Sequence, residues 1–306
     1  MLAFLKKNRR ASAAGLLGLA PGSDGVALAH LQWDGDTPQL RACRFLPAPP
    51  AEQAGALRQF VEAEGLGGVP VNLLAPVSDY QLLLVERPEV ADSELRDAVR
   101  WKIRDLVSQP VDSLVVDAFV LPGDAFRGRT AMVYCAALAR SRMDELAALC
   151  SEAGLQLHSI DVGEMALRNL GILAGAAGQN LATLQLGSRD SLVCVQHGPD
   201  LYMARRIERG LDNRGEDSAQ LALEIQRSLD YFESQLGKGY LARLLLLPPE
   251  LGGELVQMEL AARLSQRVQL FDCETLFAAT PLLDLSPAWQ ARCLPAIGAA
   301  LRREIR

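Results

Sequence analysis

Two Gly-Ser steps, Gly22-Ser23 and Gly187-Ser188, stand 165 residues apart, each in a turn between apolar runs. Successive backbone N–H groups in such turns make anion-binding concavities, so a facing pair could cradle the phosphates of one ligand. Other chemistry finds little support. His30, His158 and His197 are scattered, with no HxxxH or HExxH spacing for a metal. There is no GxSxG elbow and no Walker A sequence. The six cysteines (Cys43, Cys135, Cys150, Cys194, Cys273, Cys293) contain no CxxC pair and fall within apolar patterns, which reads as buried free thiols.

The elements around the two turns repeat. Leu16–Ala20, Val26–Leu31 and Leu40–Leu46 read as three short strands, separated by the turns Pro21–Gly25 and Asp34–Asp36. Leu181–Leu186, Leu192–Val195 and Leu201–Ile207 repeat that order, with turns at Gly187–Asp190 and Gly198–Asp200. Internal duplication on this scale predicts two similar halves facing each other across a cleft. Between them the sequence predicts a helix over Ala51–Glu64 and strands at Val69–Pro76 and Tyr80–Val85. A helix follows, with Asp92 as its N-cap and Leu95, Val99, Ile103 and Leu106 as its apolar stripe. Trp101 falls about 120° off that stripe. Val115–Leu121 and Ala131–Leu138 read as paired strands, and Ser141–Ala153 as a helix. Further on, Glu216–Leu236 is helical, Leu241–Leu247 is a strand apolar enough to be buried on both faces, and Pro295 opens a last helix.

At 306 residues the chain is long enough for about two domains. A net charge of −6 excludes broad nucleic-acid binding, which needs Lys and Arg to neutralise phosphates. No apolar run approaches the roughly 18 residues of a membrane span. The first ten residues stand apart: Leu2, Phe4 and Leu5 precede Lys6, Lys7, Arg9 and Arg10, with no acid among them. That order is the reverse of a signal peptide. It reads either as a short anchor resting on anionic lipid or as a frayed terminus.

Four passages together resemble the PilM/MshI family of actin-like type IV pilus biogenesis proteins, more closely its MshI branch, which serves mannose-sensitive haemagglutinin (MSHA)-type pili. They are Trp101-Lys102-Ile103-Arg104-Asp105-Leu106 with Pro110-Val111-Asp112 and Asp117-Ala118-Phe119; Arg205-Arg206-Ile207-Glu208-Arg209-Gly210; Glu224-Ile225-Gln226-Arg227-Ser228-Leu229-Asp230-Tyr231; and Leu294-Pro295-Ala296-Ile297-Gly298-Ala299-Ala300-Leu301-Arg302. The resemblance implies an α/β, actin-like (ribonuclease H-like, duplicated) fold with an α/β insertion in its first half. The expected organisation is a basic segment at 1–10, the first half at 11–76, the insertion at 77–155 and a return strand and helix at 156–180. The second half follows at 181–285, and the C-terminal helix returns over 286–306.

In actin-like ATPases an Asp near the first turn holds magnesium through water, a second acid opens the second turn, and a Gly-Gly turn admits the adenosine. Here Ala20 stands at the first place, Pro21 removes a backbone donor, and Gln185 stands at the second. Leu247-Pro248-Pro249 replaces the Gly-Gly turn, with Gly252-Gly253 displaced. The expectation is that the chain does not turn over ATP and needs no cofactor. If ATP and magnesium did bind, Gly22, Ser23, Gly187, Ser188, Glu224, Arg227 and Ser228 would hold them.

The resemblance further implies a cytoplasmic scaffold, peripheral at the inner membrane. It would bind the cytoplasmic tail of an inner-membrane PilN- or MshJ-like partner and couple it to the pilus motor ATPase. An extended tail would add backbone hydrogen bonds and drop side chains into pockets. The expected groove lies between first half and insertion, walled by Trp101 and Leu106, with Val71-Asn72-Leu73 as the adjoining strand. The competing role for Trp101 is packing within the insertion. The competing function is an actin-like ATP-binding protein or weak ATPase whose nucleotide state gates the partner. A third reading is the cytoplasmic domain of a type II secretion L-type protein.

Overall fold

The computed structural model describes residues 15–126, 131–213, 218–236, 239–277 and 286–303. The basic segment at 1–10 lies outside the described residues.

The first meander is β1 (Leu16–Pro21), β2 (Gly25–Asp34) and β3 (Thr37–Pro47), each antiparallel to the next. Helix α1 (Gln53–Ala63) then leads to β4 (Pro70–Leu74), which runs parallel to β1. An excursion follows: β5 (Tyr80–Glu86), α2 (Leu95–Ile103), β6 (Leu114–Val120) and β7 (Met132–Ala139) build a separate sheet of order β5-β7-β6. Helix α3 (Arg140–Glu152) and β8 (Gln156–Asp161) return to the first sheet, completing the order β3-β2-β1-β4-β8. After α4 (Gly163–Leu173) come the second meander, β9 (Asn180–Leu186), β10 (Ser191–His197) and β11 (Asp200–Ile207), and α5 (Ser218–Tyr231), which ends in a π turn over Phe232–Leu236. Next are β12 (Arg243–Leu246), α6 (Gly253–Ala261), β13 (Val268–Leu270) and the last helix, α7 (Pro287–Ala300).

The second sheet has the order β11-β10-β9-β12-β13, which repeats the first sheet strand for strand. Even the irregularities correspond: a register shift falls between the second and third strand of each meander, at His30/Leu31 and at Val195/Gln196. The duplication expected from the glycine turns is therefore present in the fold.

Alternation along the strands assigns the layers. Leu17, Leu19, Val26 and Leu28 face outward onto Leu57 and Val61 of α1 and Leu146 and Cys150 of α3. Ala27, Ala29 and Leu31 face inward onto α7. In the second sheet Leu184, Val193, Val195 and Leu246 face α5 and α6, while Leu181, Leu192, Cys194 and Leu245 face α4. Helices α4 and α7 lie together between the sheets, so close that a Cβ on Gly298 would meet the Ala166 carbonyl at 2.6 Å.

Several local expectations change. Helix α3, read with the insertion, packs on both parts: Leu146 and Cys150 share a core with Leu57 and Val61 of the first half and with Tyr80 and Leu138 of the insertion. Asp92 does not cap α2; it opens a 3-10 turn (Asp92–Glu94) and pairs with Arg87 at 2.6 Å. Pro295 lies inside α7 instead of opening it; the helix begins at Pro287, capped by Ser286 Oγ, which accepts from the Trp289 amide. The insertion also docks on the second half. Tyr134 Oη accepts the Ala204 amide at 2.9 Å, and Tyr202 donates to Asp124 Oδ1 at 2.9 Å.

Candidate functional site

The β1–β2 turn faces a cavity of about 300 Å³ between the halves, lined by Gly22 from one side and by Gln185, near the end of β9, from the other. The first turn closes on itself. Gly22 donates its amide to Gly25 O at 2.8 Å, and Asp24 O accepts the Ala48 amide at 3.1 Å. Gln53, buried at the start of α1, holds the turn from beneath: its Nε2 donates to Gly22 O at 2.7 Å, Gly25 O at 3.2 Å and Ala48 O at 3.3 Å. Pro21 has no N–H to offer.

The second turn is equally engaged. Gly187 donates to Asp190 O at 2.8 Å, and the Gly187 and Ser188 carbonyls accept the Leu211 and Asp212 amides at 2.8 Å. Gly210 presses on this turn so tightly that a Cβ there would lie 2.4 Å from Gly187 O. Asp190 is paired with Arg206 at 2.5 Å. Ser23 opens onto a different groove, between α1 and α3, while Gly187 and Ser188 do not line the central cavity.

Most of the cavity wall is apolar, from Ala20, Ala27, Phe45, Leu74, Leu167 and Pro295. Its mouth carries Asp24, Glu250 and Arg292. Arg292 Nη1 lies 2.9 Å from Asp24 Oδ2, and Nη2 lies 2.9 Å from Glu250 Oε2. The guanidinium also sits 4.6 Å above the Phe45 ring, a cation–π distance. The cation at the mouth is thus engaged by two carboxylates, leaving a net negative rim that opposes a polyphosphate. Arg292 and Gln53 escaped the sequence reading.

The α5 candidates point elsewhere. Glu224 pairs with Arg205 at 3.2 Å and with Arg227 at 3.5 Å. Ser228 is fully buried and donates to its own helix at Glu224 O, 2.8 Å away, so it is not a ligand-facing hydroxyl as expected. Beside α5 and α6, a void bounded by Leu186, Leu221, Val256 and Leu260 measures about 20 Å³. That is room for about one water and not for a base.

The expected peptide wall divides. Leu95, Val99 and Ile103 bury α2 on the β5-β7-β6 sheet. Lys102–Glu86 at 3.6 Å and Arg96–Asp117 at 3.2 Å flank the helix toward β5 and β6. Trp101, on the opposite side, is 70% exposed, and Leu106 in the following turn is 56% exposed. Packing within the insertion is therefore not what holds Trp101. Val71, Asn72 and Leu73, by contrast, do not adjoin a groove. All three are fully buried in β4, and β1 and β8 occupy both of its edges. Asn72 serves α7 instead, donating Nδ2 to Ala299 O at 3.0 Å and accepting from Ser159 Oγ at 2.8 Å. Strand edges nearer α2 belong to β5 and β6, which among the described residues pair with β7 alone. A cavity of about 150 Å³ between Tyr80, Gln81, Leu114 and the turn at Val107–Gln109 lies beside them.

No protein-family model matches the chain, and no curated protein matches it significantly. Solved structures do. A PilM-PilN type IV pilus biogenesis complex superposes with a TM-score of 0.71 at 20% identity, covering 94% of this chain and 98% of that one. A Bacteroides thetaiotaomicron protein of actin-like ATPase fold and unknown function gives 0.52 at 11% identity, covering 88% and 93%. The cytoplasmic domain of EpsL, an inner-membrane component of the Vibrio cholerae type II secretion system, gives 0.50 at 16% identity, covering 94% and 96%. The chain has the actin-like fold. Among its described residues no helix is long and apolar enough to cross a membrane.

Proposed function

We propose that this chain is a non-catalytic scaffold of a type IV pilus assembly complex, of the MSHA type, which holds the cytoplasmic tail of an inner-membrane PilN/MshJ-like partner. The observation that carries the non-catalytic part is the internal engagement of the cleft: both turn glycines donate within their own turns, and Arg292 is held by Asp24 and Glu250. The likeness to a PilM-PilN complex over almost the whole chain supports the partner class. Trp101 and Leu106, exposed on the side of α2 turned away from its sheet, supply the kind of aromatic and aliphatic surface a peptide partner uses. In this reading the protein works in the cytoplasm at the inner membrane and couples its membrane partner to the motor ATPase. Residues 1–10 add weak, salt-sensitive lipid affinity.

The test is calorimetric titration with synthetic N-terminal tails of candidate inner-membrane partners, with and without Mg-ATP. Saturable binding by one tail, unchanged by nucleotide, is expected. Binding that appears only with Mg-ATP would replace this reading with the gated one.

A further inference from the structure

The cleft mouth joins parts of the chain far apart in sequence. Asp24 belongs to the first turn, Glu250 follows β12 of the second half, and Arg292 rises from α7 between the sheets. Both arms of one guanidinium are in use, each 2.9 Å from a carboxylate on a different half, and its face lies over Phe45 of β3. Planar, two-sided bonding of this kind is what guanidinium does and ammonium does not. Wherever the halves of this fold part, the Asp24-to-Glu250 distance must grow, and one of the two bonds must break.

We infer that Arg292 is a built-in ligand of the cleft: its guanidinium ties the two halves together, and its removal leaves a site for a free guanidinium cation. The tie holds whatever partner the insertion binds. It needs no nucleotide, because the cation comes from the chain itself. Other contacts across the cleft, such as Arg206 Nη1 of the second half to Val77 O at the start of the insertion, 3.0 Å away, limit how far the mouth opens when the tie is lost.

The test measures the mouth directly. All six native cysteines are buried, so spin labels go selectively onto Ser23→Cys and Leu251→Cys, both exposed positions on opposite halves. Narrow distance distributions are expected in the parent. Arg292→Ala should broaden the distribution toward longer distances, and millimolar methylguanidinium should narrow it again. Tetramethylammonium at equal ionic strength should not. Loss of one bridging cation between two partly exposed acids should raise the open population roughly fivefold to tenfold. A distribution unchanged by Arg292→Ala overturns the inference. So does a broadened one that methylguanidinium leaves unaltered, which would make the packing of the Arg292 side-chain stem, and not its cation, the operative contact. Should Arg292→Ala fail to fold, Glu250→Ala removes the acceptor at the second half's end of the tie, and a parental distribution there has the same force.

Discussion

Tyr80 donates its phenolic hydrogen to Glu164 Oε2 at 2.6 Å, and the same phenol oxygen accepts the Gly163 amide at 3.0 Å. The first strand of the insertion is thereby fastened to the first turn of α4. Glu164 is only 4% exposed, and burial pushes its carboxyl above the usual range, against the opposing pulls of the Tyr80 bond and Arg206.

That direction sets a pH dependence. The native state holds the Glu164 proton more tightly than the unfolded chain does. Its contribution to stability is therefore full below the unfolded value of about 4.3 and is lost as pH rises through the native one. Glu164→Gln, whose amide oxygen can still accept from Tyr80, removes this loss. In urea unfolding the variant should gain on the parent as pH rises across that window. A stability difference that is flat with pH would refute the assignment.

Mg-ATP should leave the melting temperature unchanged at millimolar concentration. A ligand at 100 times its Kd would add about 2.7 kcal/mol, which is easily seen. Both turns already hold their own glycine amides. A rise of several degrees would mean that the cleft opens to nucleotide.

Trp101→Ala should weaken tail binding about thirtyfold, the cost of a truncated aromatic anchor of about 2 kcal/mol. Stability should change by less than about 0.5 kcal/mol, since the ring is 70% exposed. A folded variant that binds its tail normally would remove Trp101 from the interface.

Gly18→Ala should be severely destabilising. A Cβ there would fall 1.8 Å from Ala296 O and 2.6 Å from the Ala300 amide, forcing β1 away from α7. Overpacking of this kind costs about 1–3 kcal/mol or more. Gly67→Ala, with nothing within 4 Å, should lie within about 0.5 kcal/mol of the parent. Equal melting temperatures for the two variants would show that the helix yields.

Much of this architecture was legible because strands and turns announce themselves locally. Gly22, Gly25, Gly187 and Gly198 marked the meander turns, and Leu95, Val99 and Ile103 marked the buried side of α2. Position within a sheet was not legible. Val71-Asn72-Leu73 reads the same on an edge as in the centre; the clue was a polar residue inside an apolar run, which turned out to bond a helix carbonyl. Orphan carbonyls at a helix C-terminus need such partners, and Asn169 does the same for Gly298 O at 2.9 Å. Ser228 could have been read correctly, since it falls three residues after Ile225 on the buried face of α5. Arg292 could not. Its partners lie 268 and 42 residues away, and nothing in its neighbours distinguishes it from a solvated arginine.

Helix α4 leaves the first sheet but lies on the second, while α7 leaves the second sheet and lies on the first. Each half therefore borrows its inner cover from the other. Cleavage between α4 and β9 would give a fragment with the first sheet uncovered and another with the second uncovered. Neither piece is an autonomous folding unit, despite the duplicated plan. The inner face of the first meander stays open until a helix that ends only at Ala300 is in place, so native packing of the first half draws on almost the whole chain.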